Sequence, residues 1–228
     1  MNTQKMIGDL PGKVLGLLVD LMQKLKQCVI TVQELELFLQ RKNPFAITDI
    51  RQEWTEFYRR YFRLSVDFTD VNILDDPGGF ERIIFIPHGL AMTSVIKAMK
   101  KHFKVYTYTN NLDKDVNNNV RSTQQSYTIR FRERVEADQE LKNTSANKLK
   151  EDGVNTITLL ERLVYELKYF SETGQHLDVD NVTLCAGSRN SVGDVPRVYW
   201  HAGVSKLHVY WYDPVSAHDS LRARQAVS

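Results

Sequence analysis

The sequence predicts an α+β fold, with a helical N-terminal region ahead of a domain of small antiparallel sheets and packed helices. Three observations predict it. Apolar residues recur at helical spacing between Leu10 and Phe62. Two capping boxes, Thr31-Val-Gln-Glu34 and Thr158-Leu-Leu-Glu161, mark helix starts. Residues alternate in character through Val195–Tyr212, which is the period of a half-buried strand pair. The turn cluster Asp75-Asp-Pro-Gly-Gly79 sets the boundary, giving a helical region over residues 1–75 and a second domain over 80–228.

Taken in order, Leu10, Val14, Leu17, Leu18, Leu21 and Leu25 form one helical stripe, with Lys13, Asp20 and Lys24 opposite. The Thr31 box opens a short second helix through Leu35, Phe38 and Leu39, stopped by Asn43-Pro44. Thr48 or Asp49 caps a third, with Ile50, Trp54, Phe57, Tyr58, Tyr61 and Phe62 along one stripe. Arg51, Arg59, Arg60 and Arg63 flank that stripe, but Glu53 and Glu56 break the basic patch, so a core stripe is expected before a nucleic-acid surface.

Glu81–Pro87 reads as a buried strand, and the His88-Gly-Leu90 turn leads into a helix through Val95, Ile96 and Met99. Phe103–Tyr108 is a further strand. Asp113, Asp115 and Asn117 have the first spacings of a calcium loop, but Asn118 and Gln124 stand where its glycine and closing glutamate belong. Ser126–Arg132 alternates, with Tyr127, Ile129 and Phe131 inward and Thr128, Arg130 and Arg132 on an expected wet face. Arg134–Lys150 is charged and helical in part.

The Thr158 box starts the best-defined helix, bearing Leu160, Leu163, Val164, Leu167 and Phe170, with Gly174 beyond its end. Val182–Cys185 is a short strand, and Asp178-Val-Asp-Asn181 before it reads as a polar turn. The chain closes on Leu221–Val227, a last strand with Arg222 and Arg224 on one face.

In the hairpin between them, Val198, Trp200, Leu207, Val209 and Trp211 fall on one face and should pack on the core. Arg197, Tyr199, His201, His208, Tyr210 and Tyr212 fall on the other. Ala202-Gly-Val-Ser205 joins the halves, with Gly203 suited to the turn. A row of Tyr, His and Arg facing water has the composition of a binding surface, because Tyr offers large, rigid, amphipathic contact area.

The totals bound the function. With 228 residues, 42% of them hydrophobic, the composition is that of a water-soluble globular protein. A net charge of +2 gives by itself no sign of a polyanion partner. Two cysteines and six scattered histidines build neither a disulfide framework nor a zinc site, and no metal or cofactor is expected. The N-terminus lacks an apolar signal region and no apolar run reaches membrane-spanning length, so no membrane insertion and a cytoplasmic location are expected. No Ser-His-Asp triad or phosphate loop is readable.

Thr183-Leu-Cys-Ala-Gly-Ser-Arg189, Val195-Pro-Arg-Val-Tyr-Trp200, Leu207-His-Val-Tyr-Trp211 and Leu221-Arg-Ala-Arg224 together resemble the C-terminal region of variable proteins of diversity-generating retroelements. Thr158–Leu163 and Leu177–Asp180 also look like the invariant scaffold of such proteins. The resemblance implies a C-type-lectin fold of the formylglycine-generating-enzyme type, with a variable region at about 188–220. There an error-prone reverse transcriptase rewrites template adenines. It further implies a residue filter. Rewriting AAC or AAT codons yields most amino acids but never Trp, Met, Lys, Gln or Glu. Arg197, Tyr199, His201, Ala202, Val204, Ser205, His208, Tyr210, Tyr212, Asp213, Val215, Ser216, Ala217 and His218 pass and form the expected variable ligand face. Trp200, Lys206 and Trp211 fail and should be fixed; Val198, Trp200, Leu207, Val209, Trp211, Leu221, Arg222 and Arg224 are the expected scaffold.

The expected function is therefore non-catalytic binding of a protein or other macromolecular ligand through a diversified surface. Two alternatives belong to other classes. One is an assembly or nucleic-acid-binding module using the N-terminal helices, the less favoured partner. The other is a formylglycine-generating-like enzyme, for which Cys185 stands alone on a strand and reads as a small buried hydrophobe. A calcium-dependent sugar lectin would draw on Asp178, Asp180 and Asn181, but its sugar-binding signatures are absent.

Overall fold

The computed structural model describes residues 11–27, 29–40 and 49–228. Leu10, Cys28, the Asn43-Pro44 stop and Thr48 lie outside them. The chain divides into two compact units, residues 1–49 and 50–228. The first holds helices α1 (Gly12–Lys26) and α2 (Val32–Leu39). α1 buries none of its residues: Val14, Leu17 and Leu18 of its apolar stripe are exposed, and Leu21 and Leu25 are half-buried. The capping box at α2 is present as read: the Thr31 hydroxyl accepts from the Glu34 N–H, and the Glu34 carboxylate accepts from the Thr31 N–H at 2.7 Å.

The second unit begins with α3 (Ile50–Phe62), ahead of the Asp75–Gly79 turn. Its aromatic stripe is core: Trp54, Phe57 and Tyr58 are buried, and the Tyr58 hydroxyl donates to the Phe85 carbonyl at 2.7 Å. Next come β1 (Arg82–Ile86), α4 (Met92–Met99), β2 (Lys104–Thr107), α5 (Leu112–Asp115), β3 (Asn118–Asn119) and β4 (Tyr127–Phe131). After them follow α6 (Ala146–Glu151), α7 (Leu159–Thr173), β5 (Val182–Leu184), β6 (Ser188–Arg189), β7 (Val195–His201), β8 (Lys206–Tyr212) and β9 (Leu221–Arg222). The fold is thus mixed α+β, with seven α-helices and small sheets among the described residues. No helix among them is long and apolar enough to cross a membrane.

β1 pairs with β4, and β3 with β6, as antiparallel two-stranded ribbons. The main sheet has the order β2-β8-β7-β5-β9. It departs from the antiparallel expectation, because β2 runs parallel to β8 and β5 parallel to β9. The last strand is also shorter than the sequence implies. β9 ends at Arg222, and the chain beyond it makes only isolated bridges, Gln225 to Thr156 and Val227 to Arg130.

The face of β4 bearing Thr128, Arg130 and Arg132 is not wet. The connection after α3 covers it: Thr128 donates to the Asn72 carbonyl, and Arg130 to the Leu74 and Phe80 carbonyls. The Arg132 guanidinium lies 4.4 Å from the Phe80 ring centre. Alternation correctly separates the two faces, but it does not say what covers the polar one.

α7 runs through the centre. The capping box at Thr158 starts it, and Gly174, at φ 70°, ends it in the left-handed conformation that glycine adopts without strain. Leu159, Leu163, Val164, Tyr165 and Leu167 are buried, and so are Glu161, Arg162, Glu166 and Lys168. A buried charge is tolerated only when paired. Glu161 takes the Arg121 guanidinium at 2.6 Å and the Tyr127 hydroxyl at 2.9 Å. Arg162 bridges Glu166 and Asp178, each at 2.8 Å. Asp178 also takes Arg224 at 2.7 Å, the Ala137 N–H at 2.8 Å and the Thr183 hydroxyl. Burial alone would raise the Asp178 carboxyl, but Arg224 and Arg162 reverse that and hold it below the usual range.

Candidate functional site

β7 and β8 form the hairpin in the expected phase, from Val195 opposite Tyr212 to His201 opposite Lys206. Its turn differs in one detail. Gly203 sits in a one-turn 3₁₀ helix, Ala202–Val204, and the left-handed residue is Ser205, at φ 49°. On the inner face Val198, Leu207 and Val209 are buried. Trp200 and Trp211, expected inside, are only half-buried and pack against the rim of the core. The Trp200 ring lies flat on His176, ring centres 3.3 Å apart, and the main-chain N–H of Trp200 donates to the Asp178 carbonyl. Each ring reaches the core while leaving part of its surface in water.

The outer face is a grid. Register places Lys104, Lys206 and His201 in one row across β2, β8 and β7, and Tyr106, His208 and Tyr199 in the next. Tyr210 and Arg197 form the third, with Tyr108 of the residues after β2 alongside, its N–H donating to the Val209 carbonyl. Tyr106 stacks on His208 and on Tyr210, at 5.4 and 5.2 Å. Tyr199 stacks on His208 at 5.2 Å. The Arg197 guanidinium lies 4.5 Å from the Tyr212 ring centre.

His208 is the centre of this grid. Both its ring nitrogens are shielded from water and have no hydrogen-bond partner among the described residues. Burial, then the neighbouring His201, Lys206 and Arg197, lower its pKa and favour the neutral ring. The Tyr106 phenol is raised, chiefly by its hydrogen bond with Tyr210.

The variable-face residues are not one patch. Ala202, Val204 and Ser205 are exposed at the hairpin tip. Asp213, Val215, Ser216, Ala217 and His218 follow the other end of β8, about 20 Å away at the rise of an extended strand. Asp213 accepts from the Val215 N–H, and His218 bridges the Tyr212 and Ser220 hydroxyls at 2.9 and 3.0 Å. Tyr199 and Tyr212 have a second role. They pack against a small core of Ala146, Val182, Leu184, Val195 and Leu221 that covers the β5–β9 end of the same sheet face. Leu221 is therefore buried beneath the outer face, not the inner one. Of the other scaffold residues, Arg224 is buried on Asp178 and the Arg134 and Val135 carbonyls, while Arg222 is half-buried and reaches the Ala137 carbonyl.

Sequence reasoning missed Lys104, Tyr106 and Tyr108. Their alternation in Phe103–Tyr108 was visible, but the parallel pairing with β8 that brings them to the face was not.

The remaining candidates are structural. Asp113 accepts from the Met92 and Thr93 N–H groups at 2.7 and 3.0 Å, and Asp115 from the Thr109 hydroxyl. Asp178 is consumed by its two arginines, while Glu136 accepts from the Val179, Asp180 and Asn181 N–H groups. No group of three His, Cys, Asp or Glu among the described residues is placed to hold a metal ion. Cys185 is fully buried, and burial pushes its thiol far above the usual range, away from the nucleophilic thiolate. A cavity of about 480 Å³ lies apart from the outer face, lined by Val71, Arg121, Ser126, Tyr127 and Ser228 among others. Comparison with family models, curated proteins and solved structures finds no match for this chain.

Proposed function

We propose that this chain is a non-catalytic binding protein that presents the β2–β8–β7 face to a macromolecular ligand. We further propose that the C-terminal part of this face is diversified by retroelement-mediated adenine mutagenesis on a C-type-lectin-like scaffold. One observation carries the reading. The six strand residues of the expected variable face, Arg197, Tyr199, His201, His208, Tyr210 and Tyr212, are all within reach of adenine rewriting and project from one side of the hairpin, whereas Trp200 and Trp211, which it cannot reach, pack on the other beside Val198, Leu207 and Val209. Lys206, also unreachable, shares the outer face but stands in its end row beside Lys104. A surface built this way changes chemistry without unfolding, because outward substitutions shift stability by under about half a kcal/mol while inward ones remove burial worth about 1.5–3 kcal/mol each.

The test is amplicon sequencing of the C-terminal coding region across the source population, with the flanking DNA read for a near-copy beside a reverse-transcriptase gene. Substitutions confined to the outer-face and loop codons, matched to template adenines, are expected. A uniform sequence without a template copy would sink the diversification.

A further inference from the structure

β2 is the edge strand of the main sheet. Its pairing with β8, continued by the bond from the Tyr108 N–H to the Val209 carbonyl, turns the main-chain groups of Lys104 and Tyr106 inward. Those of Val105 and Thr107 face outward, and no group of the described residues bonds them. Such an edge is a template for another strand.

The two sides of this edge differ. On the outer face stand Lys104, Tyr106 and Tyr108, the two tyrosines 41% and 60% exposed. On the other side, Thr107 opens into a cleft of about 320 Å³ that also takes in Thr93, Lys97, Lys100 and Thr109. Lys97, Lys100, Lys104 and Lys206 have no ion-pair partner among the described residues. Lys104 and Lys206 are also direct cross-strand neighbours, a repulsive juxtaposition that an anion would relieve. Asp113 and Asp115, on the segment that follows this edge, are turned to the Met92 and Thr93 N–H groups and to the Thr109 hydroxyl. Unpaired cations therefore border the edge on both sides. A second copy pairing here would bring a further set of unpaired lysines to the same edge.

We propose that the open edge of β2 binds an extended acidic peptide segment by strand addition. Alternate side chains of the added strand then fall into the Lys97–Lys100 cleft and onto Lys104, Tyr106 and Tyr108. The main-chain bonds to Val105 and Thr107 are indifferent to sequence, and the lysines select for acid. This edge lies outside residues 188–220, so its binding stands or falls independently of diversification.

The experiment uses the full chain and a fluorescein-labelled octapeptide alternating Glu and Tyr, followed by fluorescence anisotropy at low salt. Saturable binding is expected, weakened about tenfold or more in Lys97→Glu/Lys100→Glu. These lysines are exposed, and circular dichroism checks that the variant keeps its fold. N-methylating the peptide's Glu amides or its Tyr amides separates strand addition from charge attraction, because only one set faces β2. One set should abolish binding and the other leave it. No saturable binding, equal effects of both methylation sets, or tighter binding of oligodeoxythymidine than of the peptide would each overturn the proposal.

Discussion

Trp200 and Tyr210 stand on opposite faces of the same hairpin, and their surroundings predict opposite consequences of removal. Trp200 lies against His176 and meets Phe103 edge-on at 6.0 Å. Tyr210 is half-buried among surface side chains alone, stacked on Tyr106 at 5.2 Å with the Arg197 guanidinium 5.5 Å from its ring centre. Trp200→Ala should therefore cost about 2–3 kcal/mol, below the full cost for a sealed aromatic because one edge is already wet. Tyr210→Ala should cost under about 1 kcal/mol. Chemical denaturation of both variants checks this, and equal losses would contradict the separation of scaffold from surface. Not every outer residue is so free. Tyr212 packs on the second small core and holds His218, so truncating it will cost more than truncating Tyr210. Periodicity assigns these residues to a face correctly, but only packing distinguishes those that also support the fold.

At the scale of elements, a buried charged network fastens α7 to the start of β5 and to the C-terminal segment. Asp178 is its junction, joining Arg162 of α7, Arg224 beyond β9 and Thr183 of β5. Asp178 also takes a left-handed backbone, φ 53°, which asparagine tolerates. Asp178→Asn therefore removes the charge with little change of shape or backbone preference. It should cost about 3–5 kcal/mol, because the buried Arg224 loses its counterion and Arg162 keeps only Glu166. Urea unfolding measures it, and a loss below about 1 kcal/mol would mean that the arginines find other partners. The helix and its caps were legible in the sequence. The network was not, because Asp178-Val-Asp-Asn181 looks locally like any polar turn.

For the whole molecule, every described residue of both hydrophobic cores belongs to the unit that begins at Ile50. A chain starting at Asp49 should melt in one transition within about 3 °C of the full-length protein, a shift worth about 1 kcal/mol at this size. Differential scanning calorimetry tests it, and a broad or much lower transition would show that residues 1–48 are needed for the second unit to fold. The turn cluster at Asp75–Gly79 suggested a later boundary. It marks a bend in the segment covering β4, since α3 gives its aromatic stripe to the same core as β1 and α7.

The sequence by itself determined what is local. It set both capping boxes, the Gly174 helix stop, the aromatic core stripe of α3 and the two-sided hairpin with Arg197, Tyr199, His208 and Tyr210 on one side. These follow from backbone hydrogen bonding and side-chain periodicity within a few residues. Only the tertiary structure decided that β2 lies parallel beside β8, that the segment after α3 covers β4, and that a second core caps one end of the outer face. Each of these joins residues far apart in the chain. Alternation states that a strand has two faces; what lies against each face is settled by which distant element can bury the most apolar area there and satisfy the remaining polar groups.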